Sequence, residues 1–121
     1  MWSLRRRPES RRPKRVLPVY LLPVKFYWVY LMANARNTVL YVGVTNNIER
    51  RAKEHREHRD PRSFTARYNV ERLVWYEAHQ NITAAITREK QIKEWKRAWK
   101  ERLIREMNPE WKDLAAGGMV G

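Results

Sequence analysis

The chain has 121 residues, a formal net charge of +13 and a pI near 10.6. That length fits one domain with a modest core, and so large an imbalance points to a polyanionic partner, nucleic acid before an anionic membrane surface. It has no cysteine, which excludes disulfides and thiolate metal sites.

Residues 1–24 differ in composition from the rest. The first fifteen hold seven basic residues (Arg5, Arg6, Arg7, Arg11, Arg12, Lys14, Arg15) against Glu9, a net +6. Pro8, Pro13, Pro18 and Pro23 oppose a helix there. The segment reads as a disordered basic arm adding nonspecific affinity for nucleic acid; the alternative is an upstream extension with no role. A basic start, an apolar run over 16–24 and Ala33-Asn34-Ala35 have the outline of a secretory signal. Two prolines and Lys25 interrupt that run, and cleavage would remove a strand the fold needs. No run reaches the roughly 20 apolar residues that span a bilayer. The expectation is a cytoplasmic protein with no membrane partner.

Residues 26–32 (Phe-Tyr-Trp-Val-Tyr-Leu-Met) predict a strand. Residues 33–38 supply a turn, and 39–44 a second strand antiparallel to the first. Gly43 allows close backbone approach or an unusual φ. A helix over about 46–58 follows, capped by Thr45 or Asn46, with Glu49 placed as in a capping box. Ile48, Ala52 and His55 form its inward stripe, with Arg51 beside them. Arg51 and His55 are four apart and share a face just past the strand end that carries Tyr41. A guanidinium, an imidazole and a phenol in one small volume suit a phosphodiester: Arg forks a phosphate, and His or Tyr moves a proton. The plain alternative is a strand–turn–helix with a solvated basic face.

Residues 59–67 read as a loop, with Phe64, Thr65 and Tyr68 placed to pack over the site. Leu73-Val74-Trp75-Tyr76 reads as a short strand covered on both faces. Asn81 caps a second helix whose stripe runs Ile82, Ala85, Ile86, Glu89, Ile92 and Lys93. Glu89 is anomalous there, because an unpaired carboxylate in an apolar stripe is costly. It is either a ligand for a divalent metal or the partner of Lys93 at i+4. A third helix follows a break near 96–97, carrying Trp99, Leu103 and Ile104. Asn108-Pro109 stops it, and Trp111 and Leu114 fold back onto the core. His55, His58 and His79 make only a weak metal set.

Several of these pieces together carry a resemblance. Trp28-Val29-Tyr30 and Tyr41-Val42-Gly43, with tyrosines eleven apart, resemble the paired signature of the GIY-YIG nuclease superfamily. Arg51 and His55, ten and fourteen residues past Tyr41, match its helix pattern. Residues 26–114 are similar to the small stand-alone bacterial members, through Phe64-Thr65, Tyr68-Asn69, residues 88–93 and residues 108–114. Trp28 and Val29 stand in place of the glycine and isoleucine of the first signature.

The resemblance implies an α/β (α+β) domain over 25–114, with a small three-stranded, largely antiparallel sheet flanked by helices and a flexible tail over 115–121. It implies phosphodiester hydrolysis by water with one divalent metal, Mg²⁺ or Mn²⁺, and no small-molecule cofactor. Tyr30 would be the general base, assisted by Tyr41 and His55; Arg51 would hold the phosphate and Glu89 the metal. Asn108, Thr45, Thr65 and Tyr68 would support the site, and Arg50, Lys53, Lys93 and Lys96 would contact nucleic acid, DNA before RNA. The two functions in contention are a metal-dependent endonuclease, acting on branched or damaged DNA of the kind met in DNA repair, and a non-catalytic nucleic-acid-binding module with the same fold. A basic RNA-associated protein is a distant third. Oligomeric state is not legible.

Overall fold

Strand β1 (Tyr27–Ala33) is the middle of a three-stranded antiparallel sheet, between β2 (Leu40–Thr45) and β3 (Arg72–His79). The computed structural model describes residues 25–116. The expected basic arm, 1–24, lies outside the described residues, as do residues 117–121 of the expected tail. Ala115, where that tail was expected to begin, is buried in the core.

The central place of β1 explains its composition. Residues 29–33 are buried without interruption, because both faces of the strand are covered. On one face Tyr30, Met32 and Leu73 pack with Ile48 and Ala52 of helix α1 (Ile48–Arg56). On the other, Val29, Leu31 and Val42 pack with Ala85 and Ile92 of α3 (Ile82–Glu94) and Ile104 of α4 (Arg97–Met107). Fully burying one such aliphatic side chain contributes about 1.5–3 kcal/mol. A bulge in β3 serves both layers. Leu31 pairs with Trp75 and Met32 with Leu73, leaving Val74 as the extra residue. Val74 and Trp75 therefore enter the α3/α4 core, while Leu73 and Tyr76 join the α1 core. The continuous apolar run is covered on both sides, as expected.

Two local expectations need correction. Asn47, not Thr45 or Asn46, caps α1: its side chain accepts from the Arg50 N–H at 3.0 Å. Thr45 instead turns the chain, its hydroxyl accepting from Asn47 N–H at 3.1 Å, and Asn46 accepts from Arg50. Glu49 consequently falls one position short of a capping box. The expected loop also contains a short helix, α2 (Phe64–Arg67), capped by the Ser63 hydroxyl on Ala66 N–H.

Asn81 caps α3 as expected. Ala85, Glu89 and Ile92 of its stripe are buried, but Ile82 and Ile86 stay more than a third exposed. Extended backbone at Trp95 and Lys96 separates α3 from α4. Past Asn108 the chain returns along β3: Leu114 N–H donates to Leu73 O at 2.7 Å, and Asp113 accepts from Leu73 N–H and from Arg56 of α1.

Candidate active site

The strand register brings Tyr30 opposite Gly43 and Tyr41 opposite Met32, so both tyrosines lie on the α1 face of the sheet. Tyr30 is 1% exposed and its ring crosses Gly43. A Cβ at Gly43 would sit 2.5 Å from Tyr30 Cζ and closer still to the phenol oxygen. Only a residue without a side chain lets the Tyr30 ring lie there. Trp28, which stands in the first signature's glycine position, faces the same side and packs edge-on against Tyr76, centroids 5.6 Å apart.

Helix α1 presents Arg51 and His55 to the Tyr30 oxygen from successive turns. Arg51 Nε donates to it at 3.3 Å, and His55 Nε2 lies 3.0 Å away. Because the guanidinium only donates, the phenol's single proton points to His55. His55 is buried, and burial first, then the charge of Arg51, lowers its pKa to about 4, with Glu54 opposing. It is therefore neutral at pH 7, accepting at Nε2 and carrying its proton on Nδ1, which donates to Thr65 Oγ1 at 2.9 Å. Thr65 in turn lies 3.2 Å from Ser63 Oγ. The result is one ordered chain of hydrogen bonds from Tyr30 through His55 and Thr65 to Ser63.

The same surroundings hold Tyr30 as a neutral phenol. Burial pushes its pKa well above the ordinary value and Tyr41 adds to this, while the Arg51 hydrogen bond and charge pull the other way. Burial is the largest single influence on Arg51 and opposes its charge, but the hydrogen bonds to Tyr30 and Glu54 and the charge interactions around them together raise its pKa overall. Glu54 accepts from Arg51 Nη1 at 3.1 Å and fixes its aim. Neither Glu54 nor Ser63 was singled out from sequence. Spacing carried a signal for Glu54, three residues after Arg51; for Ser63 the signal was a serine three residues before an amide it could cap.

Tyr41 is partly buried. Its ring centroid is 6.2 Å from that of Tyr30, 5.4 Å from His55 and 6.4 Å from Phe64. Phe64 in turn meets Tyr68 at 4.7 Å. Tyr30, Tyr41, Arg51, His55 and Thr65 thus form one cluster, with Tyr68 at its margin.

Glu89 belongs to a second group, on α3. It is 8% exposed and pairs with Lys93 Nζ at 2.6 Å. The Glu89 hydrogen bond is the main cause that raises Lys93. Among the described residues no three His, Asp or Glu side chains gather at one point, so there is no all-protein metal cage. The histidines are engaged separately: His58 with Glu71, His79 with Glu77. A lone buried carboxylate does fit Mg²⁺ or Mn²⁺ bound through one protein oxygen, with water and substrate phosphate completing the shell. Lys93, exposed on a flexible stem, can yield that oxygen.

Two expected support residues, Asn108 and Thr45, lie elsewhere. Asn108 is buried, with Nδ2 donating to Val74 O and Lys112 O and Oδ1 accepting from Lys112 N–H. Its amide is engaged with backbone of β3 and the returning chain. Thr45 works in the β2–α1 turn. Arg50, Lys53, Lys93 and Lys96 are all exposed, Arg50 and Lys53 each beside a glutamate four residues further on and Lys93 beside one four residues before.

The three-stranded sheet flanked by helices is that of a nuclease-type domain. The chain belongs to the GIY-YIG catalytic domain family, which matches residues 26–102. It is 41% identical over 78 residues to a UPF0213 protein of Natronomonas pharaonis, covering 64% of this chain and 89% of that one. It is 36% identical over 83 residues to a UPF0213 protein of Syntrophus aciditrophicus, covering 69% and 93%. A solution NMR structure of a UPF0213 protein from Bacillus halodurans aligns with a TM-score of 0.47 at 24% identity, over 73% of this chain and 92% of that one. Among the described residues no helix is long and apolar enough to cross a membrane.

Proposed function

We propose that this chain is a metal-dependent endonuclease that hydrolyses phosphodiester bonds in DNA. The observation that carries the reading is the Tyr30 hydroxyl held between Arg51 Nε and His55 Nε2. Family membership supports a nucleic-acid substrate, and the net charge of +13 supports a polyanion.

In this reading Arg51 holds the scissile phosphate through the guanidinium nitrogens that do not meet Tyr30. A water attacks phosphorus and loses its proton to the Tyr30 oxygen as Tyr30 passes its own proton to His55 Nε2. A standing phenolate is not required, so the raised pKa of Tyr30 does not block the step. His55 is a weak base in the free protein partly because of Arg51. A phosphate on Arg51 offsets that charge, so His55 becomes more basic when substrate is bound. The leaving oxygen departs from phosphorus and takes a proton from solvent. Glu89 would hold the divalent metal, Mg²⁺ or Mn²⁺, which supplies Lewis-acid stabilisation of the charge on that oxygen. Arg50, Lys53, Lys93 and Lys96 contact flanking phosphates.

The test is cleavage of linear, nicked and branched DNA and of RNA by the purified chain, with Mg²⁺ or Mn²⁺ and with chelator, beside Glu89→Ala. Metal-dependent cutting that Glu89→Ala loses while still binding is the expected result. Full activity in Glu89→Ala removes the metal role of that residue. Binding without cutting on every substrate favours the non-catalytic binding module.

A further inference from the structure

Two large aromatic side chains stand half in solvent beside the buried phenol. Phe64 is 49% exposed and Tyr68 46% exposed, on consecutive turns around α2, with ring centroids 4.7 Å apart. Isolated exposed aromatics are ordinary. These two are not isolated. They end a row of rings that begins at Tyr30 and passes through Tyr41, the Tyr41 and Phe64 planes lying within 28° of each other. The row is anchored from below: Thr65, between the two aromatics, is buried and bonded to His55. Arg67 is exposed, with its guanidinium carbon 6.0 Å from the Tyr68 centroid, and Arg62, two residues before Phe64 in sequence, is exposed as well. An apolar surface next to cations matches a ligand that is flat and apolar on its faces and anionic along its backbone. A nucleobase in a polynucleotide strand has that chemistry, and stacking on aromatic rings is sequence-tolerant because every base has a π-face. A base inside an intact duplex keeps both faces covered by its neighbours.

We propose that Phe64 and Tyr68 form a stacking platform for one unpaired base of the strand whose phosphate meets Arg51. The proposal rests on the nuclease reading for the place of the phosphate, and it narrows the substrate class to strands with an unstacked nucleotide: single-stranded, bulged or branched. The platform itself is a binding site, so it is tested without catalysis.

The experiment uses oligonucleotides carrying 2-aminopurine, whose fluorescence is quenched on stacking, in single-stranded, bulged and fully paired forms. They are titrated without metal against the wild-type chain, Glu89→Ala, Phe64→Leu, Tyr68→Leu and Phe64→Trp. Wild type, Glu89→Ala and Phe64→Trp should quench a probe in an unpaired position. Each leucine variant should lose most of that quenching and weaken binding of unpaired strands about tenfold, with binding of the full duplex unchanged. Equal losses on duplex and unpaired strands, or undiminished quenching in both leucine variants, overturn the platform. Cleavage by wild type of the same oligonucleotides separates the two readings. Quenching without cutting leaves the platform and removes the nuclease, whereas cutting without quenching does the reverse.

Discussion

The Tyr30 hydroxyl lies 3.0 Å from His55 Nε2, across 25 residues of sequence, and neither group is charged at neutral pH. A neutral donor facing a neutral acceptor, with Arg51 against the same oxygen, is a relay at rest. It holds a proton in place until a phosphate alters the field of the guanidinium. Tyr30→Phe removes the relay's first atom but not Arg51. It should lower kcat by about a hundredfold or more, while metal-free binding of an oligonucleotide changes little. Steady-state cleavage beside an anisotropy titration checks this. A Tyr30→Phe enzyme with wild-type kcat would remove the phenol from the chemistry.

Thr65 should act through His55 rather than on substrate. Its hydroxyl accepts the Nδ1 proton and so leaves Nε2 free to accept from Tyr30. Thr65→Val keeps the shape and strands a buried N–H, at a cost of about 1–3 kcal/mol. Histidine ¹⁵N NMR should then show the His55 ring moving from the Nδ1–H tautomer toward a mixture, with kcat lowered. Thr65→Ser should restore both signals. An unchanged tautomer in Thr65→Val would leave the hydroxyl a packing role only.

Stability should carry the signature of His55. Its folded pKa, about 4, lies below the ordinary 6.5. Between those values the unfolded chain binds a proton that the folded chain does not, so stability falls as pH drops through this window. The loss should be on the order of 2 kcal/mol, allowing for solvent screening, and it is complete near pH 4. Urea unfolding at several pH values between 4 and 7, for wild type and His55→Gln, checks it. The variant should lose most of the slope over that range.

Much of this site was legible in the chain because its parts are local. Arg51 and His55 share a helix face by spacing alone, and the tyrosines sit in two adjacent strands joined by a short turn. The register was not legible, since a slip of one residue inverts every side chain and nothing local fixes it. The link from His55 to Thr65 spans ten residues and ends in a stretch read as loop, and only the fold shows that α2 returns to α1. The cap of α1, expected at Thr45 or Asn46, falls one or two residues later because Thr45, Asn46 and Asn47 are all competent caps, and the choice depends on how the strand ends. Glu89 was legible as an anomaly but not as an outcome. The ion pair with Lys93 is present, and an ion pair in the free protein is compatible with a metal ligand in the loaded one.

Gly43 should tolerate no side chain. An added Cβ overlaps the Tyr30 ring, which has no room to withdraw in a core where it is 1% exposed. Gly43→Ala should cost about 1–3 kcal/mol from overpacking and displace the phenol from His55 and Arg51. A lower urea midpoint together with reduced kcat is the expected pair of results. A variant as stable and active as wild type would mean that the strands separate at this point without consequence.

The basic arm should matter to binding and not to chemistry. Seven cations and one glutamate precede residue 16, and every phosphate they neutralise releases condensed counterions. Removing residues 1–24 should therefore weaken binding most at low salt. It should flatten the plot of log affinity against log salt by about 0.9 for each duplex phosphate that the arm neutralises, to a ceiling of roughly 5 in the slope. At saturating DNA the cleavage rate should be unchanged, because Tyr30, Arg51 and His55 all remain. Fluorescence anisotropy from 50 to 300 mM salt (on the order of the range over which such slopes develop) measures the effect directly. An unchanged slope would mean that the arm touches no phosphates. An altered rate at saturation would mean that it reaches the site itself.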